Sequence, residues 1–279
     1  MPGFELVQLK SGAESIRCCT HGETMHVGSG PSTEAAELHV VQQRIVERAQ
    51  ANGGVPFVVW DVGLGPAGTA LTTLDALRGT DAPVEIHSFE IDLAVLEFAL
   101  KHSGALPYMA GWEPVLEELL ARGEVQALPH VRWRLHRGDY GELLRQAPPP
   151  AAIFHDPYSP ARNAAMWRLD VFRAARERVN RGTAGGACLL TNYTRSTAVR
   201  VTLALAGWWV GLGVPTGDKD QTTIAASRPG LLQRPLDRDW LRRVRASTNA
   251  APQRGLTYER GPISDADFAA LCALPQFTV

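Results

Sequence analysis

The sequence is nearly devoid of lysine. Lys10, Lys101 and Lys219 are the only three, so arginine supplies 25 of the 28 basic residues. Such a bias has two readings: the composition of a GC-rich genome, or phosphate recognition by the guanidinium fork. Neither sign of charge dominates. With 29 acidic residues the net charge is -1, which excludes a basic field over the whole surface but leaves local patches open. Cysteine is scarce: Cys18, Cys19, Cys188 and Cys272. None is spaced C-x-x-C, and strand neighbours such as Cys18 and Cys19 face opposite ways, so neither a disulfide framework nor a metal site is expected. A reducing cytoplasm fits this usage. No apolar run reaches the ~18 residues of a membrane span, and MPGFELVQLKSGAES (1–15) has no signal-peptide core. No internal repeat is visible. What remains is ordinary for a folded domain: 279 residues, 45% hydrophobic and 20% charged.

The pattern along the chain alternates. Residues 4–10 and 14–20 form a hairpin around Ser11-Gly12. A loop, Gly22 to Pro31, leads to a helix capped by Ser32 and running to about Ala51, with Glu34 in its first turn. PFVVW (56–60) reads as a strand buried on both faces. Strands at 84–91, 131–136, 153–156 and 187–193 follow, with helices at 67–77, 93–102, 112–122, 161–179 and 196–206 between them. Two last strands, 208–213 and 221–227, are too close for a helical crossover and pair antiparallel. This predicts an α/β fold: a doubly wound, mostly parallel seven-stranded sheet, the Rossmann-like topology of class I methyltransferases. Residues 1–52 are expected as an N-terminal hairpin-and-helix extension, 53–228 as the core, and 229–279 as a tail packed on it, with weak helices at 239–246 and 266–274.

The strongest motif is Asp61-Val-Gly-Leu-Gly-Pro-Ala-Gly68. Gly63, Gly65 and Gly68 satisfy G-x-G-x-x-G between a strand and a helix, where backbone N–H groups can meet a ligand. That pattern alone also fits a dinucleotide. Asp61 turns the choice, because a carboxylate there opposes a pyrophosphate and suits an ammonium. Glu90 ends the next strand and can accept from two ribose hydroxyls. D-x-G-x-G with such an acid resembles the S-adenosylmethionine (SAM) methyltransferases. Asp139, after the third strand, is either the acid near the adenine amine or a helix N-cap. Asp92 reads as the cap of the helix after Glu90.

The fourth strand ends in FHDPYSPARNAAMW (154–167), at the sheet edge where ligands bind in open α/β folds. Asp156, Tyr158, Ser159, Pro160, Ala161, Arg162, Asn163, Met166 and Trp167 resemble the motif of the methyltransferase domain of MnmC, the bacterial tRNA wobble-uridine enzyme family. Gly22-Glu23-Thr24-Met25-His26, Gly30-Pro31 and Glu34-Ala35 resemble its N-terminal block. The resemblance covers about residues 5–228. It departs at Pro157, at Tyr158 in place of phenylalanine, at Ala164 after Asn163, and in TNYTRSTAVR (191–200).

The resemblance implies SAM-dependent N-methylation of 5-aminomethyluridine, with or without a 2-thio group, at the tRNA wobble position. Asp156 then assists removal of a proton from the amine, and Tyr158 stacks on or packs beside the flipped base. Glu23 and Thr24 close over the cofactor. The expected cofactor-binding set is Glu23, Thr24, Asp61, Gly63, Gly65, Gly68, Glu90, Asp139 and Asp156, with no metal. H-x4-H at His21 and His26 does not make a metal pair by itself. Met166 and Trp167 read as core, and His155 as a satisfied loop histidine. Arginine clusters at 132/134/137, 173/176/178/181 and 238/242/243/245 are either tRNA phosphate contacts or solvated helix faces. The expected partner is tRNA, with no DNA and no membrane. About 50 residues follow the core, too few for the flavin oxidase that bifunctional relatives carry, so a stand-alone form is expected. Competing readings are an aminopropyltransferase of the spermidine synthase type, methylation of another amine or a protein, a dinucleotide oxidoreductase, and a non-catalytic RNA-binding module.

Overall fold

Three residue patterns build the sheet. FVVWDV and VEIHSFE are strands whose alternate side chains enter two different cores, and VRWRLHR is a strand whose apolar side chains enter one of them. In the computed structural model, which describes residues 3–25, 30–182, 187–217 and 219–278, they are β4 (Phe57–Val62), β5 (Val84–Glu90) and β7 (Val131–Arg137). Before them come β1 (Phe4–Gln8), β2 (Glu14–Cys18) and β3 (Glu23–Thr24), a small antiparallel sheet. His26 lies outside the described residues.

The helix expected from Ser32 to about Ala51 is three pieces. These are α1 (Pro31–Ala35), a π-helical stretch (Ala36–Val41) and α2 (Ile45–Gln50). Gly30, not Ser32, stands at the N-cap, with Pro31 in the first turn. Arg44 breaks the run in a left-handed conformation, φ 52. The break has a tertiary cause. Gln43 Nε2 donates to Ile153 O and Thr191 Oγ1, and Gln42 Oε1 accepts from Val214 N. Bonds to distant strands outweigh helix continuity.

The remaining elements follow in order: α3 (Gly68–Leu77), α4 (Ala94–Lys101), α5 (Glu113–Arg122), β6 (Glu124–Leu128), α6 (Tyr140–Leu143), β8 (Ala152–His155), α7 (Leu169–Asn180), β9 (Leu189–Asn192), α8 (Thr197–Leu205), β10 (Trp209–Gly213), β11 (Thr222–Ala226), α9 (Trp240–Ala246), α10 (Asp265–Cys272) and α11 (Pro275–Thr278). The sheet has eight strands in the order β10-β11-β9-β8-β4-β5-β7-β6. Seven match the expected set. The eighth, β6, pairs antiparallel with β7 at the edge. The last pair, β10 and β11, is antiparallel as expected. The helix expected from 161 starts at Leu169. Ser159 O accepts from Arg162 N and Asn163 N and closes a turn first.

Strand alternation sorts the side chains onto two faces. Trp60, Ile153, Trp167, Phe172, Trp208 and Val244 share one core, to which the tail contributes Trp240, Leu241, Leu271 and Phe277. Val59, Ile86, Trp133, Phe154, Leu71 and Leu96 share the other. The chain winds outward through β4, β5 and β7, then returns to β8 beside β4. The reversal opens a crevice at the carboxyl ends of β4 and β8.

Candidate active site

That crevice holds a cavity of about 720 Å³. Its floor is the glycine turn after β4. Gly63 takes φ 89 and Gly65 φ 53, conformations that side chains with a Cβ rarely adopt. Space is as restrictive as torsion at Gly63. A Cβ there would stand 3.0 Å from Asp156 O and from Pro157 N and Cα. The turn after β4 and the turn after β8 therefore pack backbone to backbone. Gly65 and Thr69 line the cavity, whereas Gly68 opens α3 just behind it and does not.

Asp61 does not line the cavity either, contrary to a direct ligand contact. It is fully buried. Its Oδ2 accepts from Ser88 Oγ at 2.7 Å, and Ser88 in turn accepts from Trp133 Nε1 at 2.8 Å. Its Oδ1 is buried with no hydrogen-bond partner among the described residues. Burial pushes this carboxyl up to about 7, and the charges of Asp156 and Glu90 push the same way. Glu90 does line the cavity. Its Oε2 accepts from Gly65 N at 3.1 Å, and its Oε1 from Ile91 N at 2.9 Å and Asp92 N at 3.2 Å. Burial raises this carboxyl, against those backbone donors. Asp139 caps α6 through Glu142 N at 3.2 Å, as one of the two readings had it, and also lines the cavity. Asp92 Oδ1 accepts from Ala94 N at 2.9 Å one residue before the N-cap of α4, which is Leu93 and not Asp92.

The opposite wall is assembled from distant segments. Asp156 and Tyr158 follow β8, and Glu23 and Thr24 come from β3; all four line the cavity. Glu23 takes Ser159 N on Oε2 at 3.1 Å and the Ser159 hydroxyl on Oε1. This clamps the loop that carries Tyr158. The Tyr158 ring lies 4.7 Å from that of His21, and its carbonyl accepts from Trp167 Nε1 at 2.9 Å. Burial raises the Tyr158 phenol. Tyr193 OH donates to Pro157 O at 2.9 Å. Behind Asp156, His39 Nε2 stands 3.9 Å from its Oδ2.

His155 is not a loop histidine. It ends β8 with its side chain on the other sheet face, against Trp167 at 4.8 Å and Phe172 at 4.9 Å. Full burial pushes it down to about 3, so it stays neutral. Trp167 is core as expected, and Met166 packs against that core while also lining the cavity. Sequence reasoning passed over three further lining residues. Glu34, read as a first-turn helix acid within the N-terminal block and given no cavity role, is 7% exposed and lines the cavity. Tyr193 and Lys219 come from loops after β9 and between β10 and β11, and Lys219 Nζ donates to Tyr193 O at 3.1 Å. Only Lys219 being one of three lysines marked it out.

The cavity is acidic. Glu23, Glu34, Glu90, Asp92, Asp139 and Asp156 line it, against Lys219 and His21. Such walls disfavour a pyrophosphate and favour a cationic ligand. SAM carries a sulfonium and an ammonium, so the residues present fit it, and the unpartnered Oδ1 of Asp61 adds to that fit. Among the described residues no cluster suits a metal ion, and no helix is long and apolar enough to cross a membrane. Among the described residues no arginine lines the cavity. Several cluster arginines instead hold the fold: Arg176 donates to Gly207 O at 3.0 Å, Arg178 to Ala147 O at 2.8 Å, and Arg134 pairs with Glu124 at 3.1 Å.

Residues 111–228 match a family model described as S-adenosyl-L-methionine-dependent methyltransferase. The structure is similar to that of MnmC2 from Aquifex aeolicus, with a TM-score of 0.73 and 23% identity over 98% of this chain and 85% of that one. Weaker similarities include a precorrin-6y C5,15-methyltransferase from Geobacter metallireducens (TM-score 0.36, 15% identity, 66% and 87% covered). Human methyltransferase-like protein 13 in complex with SAH is another (0.40, 13%, 73% and 81%). No curated protein matches the chain in sequence. With its glycine turn, its strand-end acids and its acidic cavity, the chain has the fold of an MnmC-like methyltransferase domain, and its residues 111–228 carry the pattern of a SAM-dependent methyltransferase.

Proposed function

We propose that this enzyme methylates the primary amine of 5-aminomethyluridine, with or without a 2-thio group, at the wobble position of tRNA. The observation that carries the reading is Asp156: a carboxylate at the end of β8, in an acidic cavity, packed against the glycine turn. An alkylamine has a pKa of ~10 and is mostly protonated at neutral pH. It needs a carboxylate to draw it in and to accept its proton before nitrogen can attack. SAM, when bound, supplies an electrophilic methyl group on sulfur. Asp156 orients the amine and takes the proton. Tyr158, held by the Trp167 bond to its carbonyl and by the Glu23 clamp on Ser159, offers a ring face for the uracil.

On the cofactor side, Glu90 exchanges its backbone donors for ribose hydroxyls, and Asp139 faces the adenine. Gly63, Gly65 and Gly68 shape the turn. Asp61 acts through its charge behind that turn. Glu23 and Thr24 close the cavity from the N-terminal sheet. In this reading residues 53–228 are the transferase core, 1–52 cover its cavity and 229–279 buttress its far face. tRNA is the partner, DNA and membrane are not, and the cytoplasm is the compartment.

The test uses purified protein, methyl-labelled SAM and tRNA from cells lacking this methylation. Label should appear in 5-methylaminomethyluridine by nucleoside mass spectrometry. Asp156→Ala should lower that transfer by about a hundredfold or more, the usual reach of a lost general base, while still binding SAM. Label in a polyamine precursor or a protein, with none in tRNA, would overturn the acceptor assignment.

A further inference from the structure

The π-helical stretch puts one histidine behind the proposed base. Wide turns of this kind are rare and often mark functional positions. His39 is 1% exposed and its ring lies 5.0 Å from that of Phe154. Nδ1 stands 2.7 Å from Thr191 Oγ1, and Nε2 stands 3.9 Å from Asp156 Oδ2.

The neighbours decide which ring nitrogen carries the proton. One atom of the Gln43 amide lies 3.0 Å from Ile153 O and 2.7 Å from Thr191 Oγ1. A backbone carbonyl only accepts, so that atom is the nitrogen, and it donates to the Thr191 hydroxyl as well. The hydroxyl has two hydrogen-bond neighbours among the described residues, Gln43 and His39. Its own proton therefore goes to His39 Nδ1. Nδ1 is the acceptor, and Nε2 carries the N–H on the side of Asp156. The reverse arrangement would bury a hydroxyl proton with no acceptor, at a cost of about 1–3 kcal/mol. Nε2 itself is buried with no hydrogen-bond partner among the described residues.

We propose that His39 is a positioning residue for Asp156, with its tautomer set by Gln43 and Thr191. Its Nε2–H holds Oδ2 and so fixes the carboxylate that faces the acceptor amine. A shift of about 1 Å brings the pair to hydrogen-bond distance, and a donor placed there favours the ionised carboxylate. The proposal rests on the role given to Asp156 above.

Two measurements test it, and the first needs no acceptor. In SAM-bound protein labelled with 15N-histidine, long-range proton–nitrogen NMR reads the tautomer of each ring. His39 should be the Nε2–H form, with an Nε2 signal that moves in Asp156→Asn. An Nδ1–H form would overturn the proposal whatever the acceptor is. The second is kinetic. His39→Leu should lower kcat by about tenfold or more, with SAM affinity and tRNA KM within about twofold. His39→Gln, whose amide nitrogen reaches the Nε2 position, should recover most of that loss. A leucine variant with wild-type kcat, or a glutamine variant as impaired as leucine, would leave His39 a packing residue only. If wild-type protein labels no tRNA while the Nε2–H form is seen, the acceptor assignment fails and the wiring of His39 stands.

Discussion

The two walls of the cavity are held by different means. On the β4–β5 side, Glu90 is fixed by the backbone of Gly65, Ile91 and Asp92, and Asp139 by Glu142 N. Most of these partners are within a few residues, and the wall exists as soon as its own strand and turn form. On the β8 side, Glu23 holds Ser159 from 136 positions away, and His39 meets Thr191 from 152 positions away. That wall exists only once the N-terminal sheet and the π-helical stretch have docked. The local wall suits an invariant task, binding a nucleoside cofactor. The assembled wall depends on segments far apart in the chain, of which the turn after β8 packs directly against the glycine turn.

If the walls are separable, their variants should separate too. The largest expected effect lies on the local wall. Glu90→Ala removes two charge-assisted bonds to the ribose, so SAM affinity should weaken by about a hundredfold. Binding titrated by calorimetry checks it. The N-terminal clamp should be untouched, with the fluorescence signature of Trp167 unchanged. A loss of SAM affinity under tenfold would mean that Glu90 is a turn-capping acid and not a ribose ligand.

Gly63→Ala should break the separation. A Cβ at 3.0 Å from Asp156 O and Pro157 forces both turns apart, and φ 89 adds strain, together costing about 1–3 kcal/mol. The melting midpoint should fall by several degrees. SAM affinity and kcat should fall together, as in no single-wall variant.

Legibility in the sequence follows the same division. The glycine turn, Glu90 and the cap Asp139 were readable because cause and consequence lie within a few residues of chain, whereas the cap expected at Ser32 falls to Gly30. The helix break at Arg44 was not, since it is fixed by Gln42 and Gln43 reaching Val214, Ile153 and Thr191. β6 was missed for a related reason. EVQAL is a short, weakly apolar segment after a helix that ends at Gly123, and only its pairing with β7 makes it a strand. Asp156 and Tyr158 came from resemblance. For Glu34, Tyr193 and Lys219 nothing near them in sequence shows that they meet in one cavity.

Asp61 gives a smaller effect with a definite sign. Its folded-state carboxyl is raised to about 7 by burial, above its ordinary value. The stability it contributes to the ligand-free fold is therefore present in acid and is lost as pH rises through about 7. A bound cation in the cavity, across the turn from Asp61, favours the carboxylate instead. SAM binding should then release a proton below pH 7, and affinity should rise with pH by at most about tenfold per unit before levelling off. Calorimetry in two buffers of different protonation enthalpy reads the proton. Asp61→Asn should abolish the release. If it persists, it belongs to Glu90, whose carboxyl is also raised.

The smallest effect is the most informative about the assembled wall. Glu23→Gln keeps the shape of the side chain and a carbonyl oxygen for Ser159, but drops the charge. If Glu23 only clamps the loop, the amide oxygen still accepts from Ser159 N or its hydroxyl, and the loss is about 1 kcal/mol or less. That is a few-fold rise in tRNA KM with SAM affinity nearly constant. If Glu23 also contributes charge that draws in the amine, kcat/KM should fall further and the fall should shrink as salt is added. Ser159→Ala separates the two, since it removes the hydroxyl half of the clamp and leaves the charge. A Ser159 variant as impaired as Glu23→Gln makes the clamp the whole role; a milder one assigns the difference to the carboxylate. Measured at two salt concentrations, the pair shows whether the far segment merely props the acceptor wall or takes part in choosing what enters it.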